Sequence, residues 1–168
     1  LSDLNADMST LRSDFARNAP TSAELDIREA RLAMAEYSDS VAAVRKRESG
    51  MASGLSIFSI GAPDNEEIGA IERELELLQQ VWGMLEEWNG AVDSWKAGRF
   101  SEIDVDKIEE AAVSMGKRIR KLPADAADWS VMRSLSERVG AMKALMPLIT
   151  DLRNPAMRER HWSQLIDE

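Results

Sequence analysis

Cysteine is absent and histidine occurs once, at His161, in a chain of 168 residues. The first absence removes disulfides, thiolate metal sites and cysteine nucleophiles together. The second leaves an imidazole metal site without a second imidazole, and an acid-base role would rest on one residue beside Trp162. Long apolar runs are missing too. The longest stretches, such as Gly54 to Ala62, fall far short of the roughly 20 residues a membrane-spanning helix needs. Positive charge is in deficit, with 21 Lys and Arg against 30 Asp and Glu and a formal charge of −9. That balance repels phosphate backbones and anionic lipid, so neither nucleic acid nor membrane is expected as a partner. No basic stretch followed by a continuous apolar core stands near Leu1. An intracellular location follows as the expectation. The opening at Leu1 and the close within an apolar pattern predict a parent polypeptide that continues on both sides.

What is present is helical periodicity. Leu1, Leu4, Met8, Leu11 and Phe15 recur at spacings of three and four and stop before Pro20. Thr21 and Glu24 fit a capping box that opens a second helix, whose buried face is Ile27, Ala30, Met34, Tyr37, Val41 and Val44. The cluster Arg45-Lys46-Arg47 falls late in that helix, where the dipole favours cations, and reads as a solvated end rather than a nucleic-acid patch. Gly50 and Gly54 are expected to loosen the chain, with Leu55 to Ile60 as a short strand or packed loop and Pro63-Asp64-Asn65 as a turn.

The longest pattern runs through Ile68, Ile71, Leu75, Leu78, Trp82, Leu85, Trp88, Val92 and Trp95. A helix of that span predicts an elongated segment. Asp104 is a plausible cap for a helix burying Ile108, Ala112, Met115, Ile119 and Leu122, ended by Pro123. Trp129, Met132, Leu135, Val139, Met142 and Met146 trace another, with Pro147 as an interruption, and Asn154-Pro155 opens the last. The expected fold is therefore all-α: an elongated antiparallel bundle of about six helices, divided into a segment 1–54 and a segment 55–168 that continues past the C-terminus. On a wheel of the last helix, Met157, His161, Trp162, Leu165 and Ile166 spread over about half the circumference, more than one neighbour needs. Its packing is expected to require chain beyond Glu168.

Motifs that carry chemistry are broken at identifiable positions. The only Gly-Lys, Gly116-Lys117, is followed by Arg118 and preceded by Ala111 where a phosphate-binding loop requires glycine. Asp104-Val105-Asp106 begins like a calcium loop, but Ile108 and Glu109 occupy the third ligand and obligatory glycine positions. Lys117, Arg120 and Lys121 fall in a last helical turn, where the dipole accounts for them. No catalytic, metal or cofactor-binding residue is assigned. The tryptophans Trp82, Trp88 and Trp95 follow one apolar face, and together with Trp129, His161 and Trp162 are expected to be packing residues. Periodicity alone does not tell a scaffold, such as a spectrin-like bundle or coiled-coil adaptor, from other roles of packed helices.

A resemblance separates them. The run from Leu148 through Asn154-Pro155-Ala156-Met157-Arg158-Glu159-Arg160-His161-Trp162 resembles the signature near the tail-to-linker junction of dynein heavy chains. Leu55, Ile57, Phe58, Leu75, Leu78, Trp82, Trp95, Ile103-Asp104, Leu122-Pro123, Trp129 and Pro147 fall in the order and approximate spacing of that region. The resemblance covers about Thr21 to Leu165, with an axonemal flavour, and departs at Asn65, where dyneins commonly carry tyrosine. It implies a structural, force-transmitting segment of a microtubule motor that joins the tail to the linker over the AAA+ ring, in a cilium or flagellum. It also implies that ATP and magnesium act elsewhere in the parent chain and that no catalytic residue transfers to this segment. The implied partners are the rest of the heavy chain with its linker, intermediate and light chains, and neighbouring heavy chains.

Overall fold

A computed structural model describes residues 2–57, 66–99, 102 and 104–152. Among these the fold is all-α, with five α-helices: α1 (Ser2–Asn18), α2 (Ile27–Ile57), α3 (Glu66–Ala97), α4 (Val105–Arg120) and α5 (Ser130–Leu152), and a 3-10 turn at Ala124–Ala126. None of them is long and apolar enough to cross a membrane. The helix expected from Asn154, with His161 and Trp162, lies outside the described residues, as do Phe58 to Ile60 and the Pro63 turn.

The chain divides into two compact units. The first comprises Leu1–Gly83 and Asp125–Met132, the second Met84–Ala124 and Arg133–Glu168. In the first, α1 and α2 pack with Phe15 edge-on to Tyr37, ring centroids 4.9 Å apart. Asp7 pairs with Arg47 at the other end, so α1 and α2 run antiparallel. Arg45 makes a forked contact to both carboxylate oxygens of Glu72, at 3.0 and 2.8 Å, and Met34 lines the same cleft as Trp82. The first part of α3 is therefore antiparallel to α2. The shared core contains Leu4, Met8 and Phe15 from α1, Ala30, Met34, Val41 and Val44 from α2, and Ile68, Ile71, Leu75, Leu78 and Trp82 from α3. In the second unit Arg118 reaches both oxygens of Glu87 at 2.7 Å, Arg138 donates to Asn89, and Ile108, Ala112, Met115, Leu135, Val139 and Met146 are buried.

Three expectations need correction. The capping box of α2 is Asp26 with Glu29, five residues later than Thr21 with Glu24. The Asp26 carboxylate accepts from the Arg28 amide at 2.7 Å, and Glu29 accepts from the Asp26 amide at 3.3 Å. Both sites satisfy the same motif, and the earlier one is used in a tertiary contact described below. Gly50 does not end α2, which continues to Ile57; a helical glycine costs only about 1 kcal/mol, less than a long packed helix supplies. Pro147 does not interrupt α5. The proline is exposed, so the Lys143 carbonyl that loses its amide partner, four residues back on the same face, is not trapped in a dry core. Asp104 does cap α4, accepting from the Lys107 amide at 3.2 Å.

Two helical glycines differ in surroundings in a way that stability can read. A Cβ at Gly140 would meet nothing within 4 Å, whereas one at Gly116 would fall 2.5 Å from the Lys143 ammonium. Gly140→Ala should raise stability by about 0.5–1 kcal/mol, the helix-propensity gain alone. Gly116→Ala should give less, because Lys143 must first swing aside. Urea unfolding followed by circular dichroism checks both, and an equal gain at the two sites would contradict the crowding at Gly116.

Candidate functional site

The residues singled out in the sequence sit in three different settings. Trp82 is 1% exposed, and its indole N–H donates to the Pro20 carbonyl at 2.7 Å, so a buried ring carries a satisfied polar edge. Trp88 is buried, and Trp95, two turns on, is half-buried and meets it edge-to-face at 5.7 Å between centroids. Trp129 is half-buried and stands just before α5 rather than on its buried face. These rings are not gathered at one place. His161 and Trp162 lie outside the described residues.

Sequence periodicity missed the polar contacts that fix the first unit. Tyr37, expected on a buried face, is half-buried, and its hydroxyl donates to Asp14 Oδ2 at 2.7 Å while Asn18 donates to Oδ1 at 2.7 Å. The Tyr37 and Asn18 hydrogen bonds hold the Asp14 carboxyl below its ordinary range. Burial, then the Asp14 carboxylate, pushes the Tyr37 phenol up to about 12. The signal available in the sequence was only that Asp14 and Asn18 share a helix face beside Phe15. Arg45 with Glu72 and Glu48, and Arg12 with Glu74, add ion pairs that are more than a third exposed on the arginine side and so hold little stability.

One cleft of about 460 Å³ opens between α2 and α3, lined by Arg31, Met34, Ala35, Ser38 and Asp39 on one side and Gln79, Trp82 and Gly83 on the other. Asp39 is its only carboxylate and it has no imidazole, so a general acid–base pair is lacking. Among the described residues no group of three His, Cys, Asp or Glu side chains could hold a metal ion.

Among the described residues the arrangement is all-helical, with apolar seams and a buried Trp82 whose indole N–H is satisfied. Comparison with known proteins gives the family. The model for dynein heavy chain, N-terminal region 2, matches residues 68–168. The chain is 41% identical over 161 residues, 96% of its length, to the dynein-1-beta heavy chain of the flagellar inner arm I1 complex of Chlamydomonas reinhardtii. It is 37% identical over 75% of its length to dynein axonemal heavy chain 2 of Homo sapiens, and 31% identical over 66% to the ciliary dynein beta chain of Tripneustes gratilla. The chain thus belongs to the dynein heavy chain family, in the N-terminal region rather than the ATPase modules. It spans 4% of the length of the Chlamydomonas relative, 3% of the human one and 2% of the Tripneustes one.

Two measurements probe these contacts. Trp82→Ala removes a fully buried ring and should cost about 3–5 kcal/mol. Trp82→Phe keeps most of the ring but strands the Pro20 carbonyl, for about 1–3 kcal/mol. An unchanged unfolding midpoint in either variant would mean that the Pro20 contact is not made. The single tyrosine also allows a clean absorbance titration. Tyr37 should ionise near 12. Its folded pKa lies above the unfolded value, so its contribution to stability is complete below about pH 10 and is lost as pH rises through 12. Asp14 has the opposite sign, contributing above its unfolded pKa and losing that contribution as pH falls through the depressed value. Asp14→Asn should move the Tyr37 midpoint part of the way back toward 10.

Proposed function

We propose that this chain is a structural, force-transmitting segment of an axonemal microtubule motor, joining the dynein tail to the linker over the AAA+ ring. The observation that carries the reading is the family match over residues 68–168, together with similarity across almost the whole chain to a flagellar inner-arm heavy chain. The helices supply what such a role needs. α3 has 32 residues, a length of about 48 Å, and no proline. It is buried along two stripes, Ile71, Leu75, Leu78, Trp82 and Leu85 on one and Leu77, Val81, Met84 and Trp88 on the other. A helix held on two sides resists bending better than one packed on a single face.

On this reading residues 1–54 are tail-type helix and 55–168 lead toward the linker. ATP and magnesium act in other parts of the heavy chain, and the packing tryptophans serve stiffness. The partners are the remainder of the heavy chain, its intermediate and light chains, and adjoining heavy chains in a cilium or flagellum.

Softening α3 at exposed positions tests the role. Gln79→Gly with Gln80→Gly costs about 1 kcal/mol of helix propensity at each site and leaves the buried stripes intact. In an intact flagellar heavy chain, microtubule gliding should slow several-fold while ATP turnover is retained. Unchanged gliding would sink the mechanical reading; loss of ATP turnover with gliding would assign the segment to the control of chemistry instead.

A further inference from the structure

The first amides of any helix have no intrahelical acceptor and need a cap. α2 and α4 meet this need locally, with Asp26 and Glu29 for the first and Asp104 for the second. α5 does not. The residue before it is Trp129, whose only polar side-chain atom is a donor, so it cannot accept from an amide.

The Met132 amide turns to the Trp129 carbonyl, but the acceptor for the amide before it comes from far away in the chain. The Thr21 carbonyl accepts the Val131 amide at 3.1 Å. The same carbonyl accepts the Ser130 hydroxyl at 3.4 Å, and that hydroxyl in turn accepts the Ala23 amide at 2.9 Å. Ser130, the first residue of α5, therefore spends its hydroxyl on the turn between α1 and α2. The turn is itself anchored one residue earlier, where the Pro20 carbonyl takes the Trp82 indole N–H and Pro20 is among the fully buried side chains. Ala126 and Val131, on either side of Trp129, are both 0% exposed.

We infer that the turn between α1 and α2 is the N-terminal cap of α5, supplied from 109 residues earlier in the chain, so that helical order at the start of α5 depends on that turn being seated. Trp82 seats the turn through Pro20, and the turn accepts the Val131 amide of α5, while the Met132 amide is taken by the Trp129 carbonyl at 3.1 Å. Displacement of the turn uncaps α5 and frays its first turn, while α2 keeps its own local cap. The start of α5 is thereby a conditional element, ordered or frayed according to a contact with the α1–α2 turn rather than to its own sequence.

Hydrogen exchange with mass spectrometry on the intact heavy chain tests this. Inserting two glycines between Pro20 and Thr21 separates the Thr21 carbonyl from the seated Pro20 without altering α2 or α5. Peptides covering Ser130 to Leu135 should exchange about fivefold faster, the effect of losing one typical cap, with the start of α2 unchanged. Adding Trp129→Asp to the inserted chain gives α5 a local acceptor and should restore its protection. The inference is overturned if the start of α5 keeps its protection after the insertion, if α2 frays equally, or if Trp129→Asp fails to restore protection.

Discussion

The hydrogen bond from the Trp82 indole to the Pro20 carbonyl is the contact on which the first unit is organised. A tryptophan side chain has a large apolar area and one donor, and burying the area without an acceptor for the donor would cost much of what burial gains. Pro20 is the fitting partner. It lacks an N–H, so the turn between α1 and α2 has no amide to bury at that point, while its carbonyl remains free to accept. With that bond made, α1 can fold back onto α2, and the Thr21 carbonyl is presented to α5. The chain there uses one dry polar contact to fix three elements.

Electrostatics is uneven between the two units. The first, Leu1–Gly83 with Asp125–Met132, contains seventeen Asp and Glu against eight Lys and Arg, whereas the second has thirteen of each. The formal charge of −9 thus belongs to the first unit. Three of its eight cations form ion pairs with known partners: Arg45 with Glu48 and Glu72, Arg47 with Asp7, Arg12 with Glu74. Such exposed pairs add little stability singly and are screened by salt. Those between helices, Asp7 with Arg47, Arg45 with Glu72 and Arg12 with Glu74, join positions that the packing of α1, α2 and α3 brings level.

The absence of reacting clusters among the described residues and the family assignment bear on different questions. Failed loop motifs show which chemistry the chain's spacing cannot support; the match to the dynein N-terminal region says where in a much longer polypeptide such a segment stands. Neither carries the mechanical role alone. That reading draws on the family match together with the length of α3 and its burial along two stripes.

The all-α class, the span of α3, the Asp104 cap and the burial of Leu4, Met8, Ile71, Trp82 and Ile108 were legible from spacing, since one-sided burial forces apolar residues into steps of three and four. The resemblance around Asn154 to Trp162 was legible as a string. Three features were not. Thr21 and Asp26 carry equivalent capping motifs, and only the demand for the Thr21 carbonyl at α5 decides between them. Pro147 reads as a break by local rules, and only its exposed position lets α5 pass. The pairing of Tyr37 with Asp14 and of Ser130 with the α1–α2 turn joins residues 23 and 109 apart. Sequence determines which side chains must leave water. Which distant carbonyl or carboxylate then meets a given donor is fixed only when the helices have packed, because hydrogen-bond geometry is met by position in space and leaves no period in the chain.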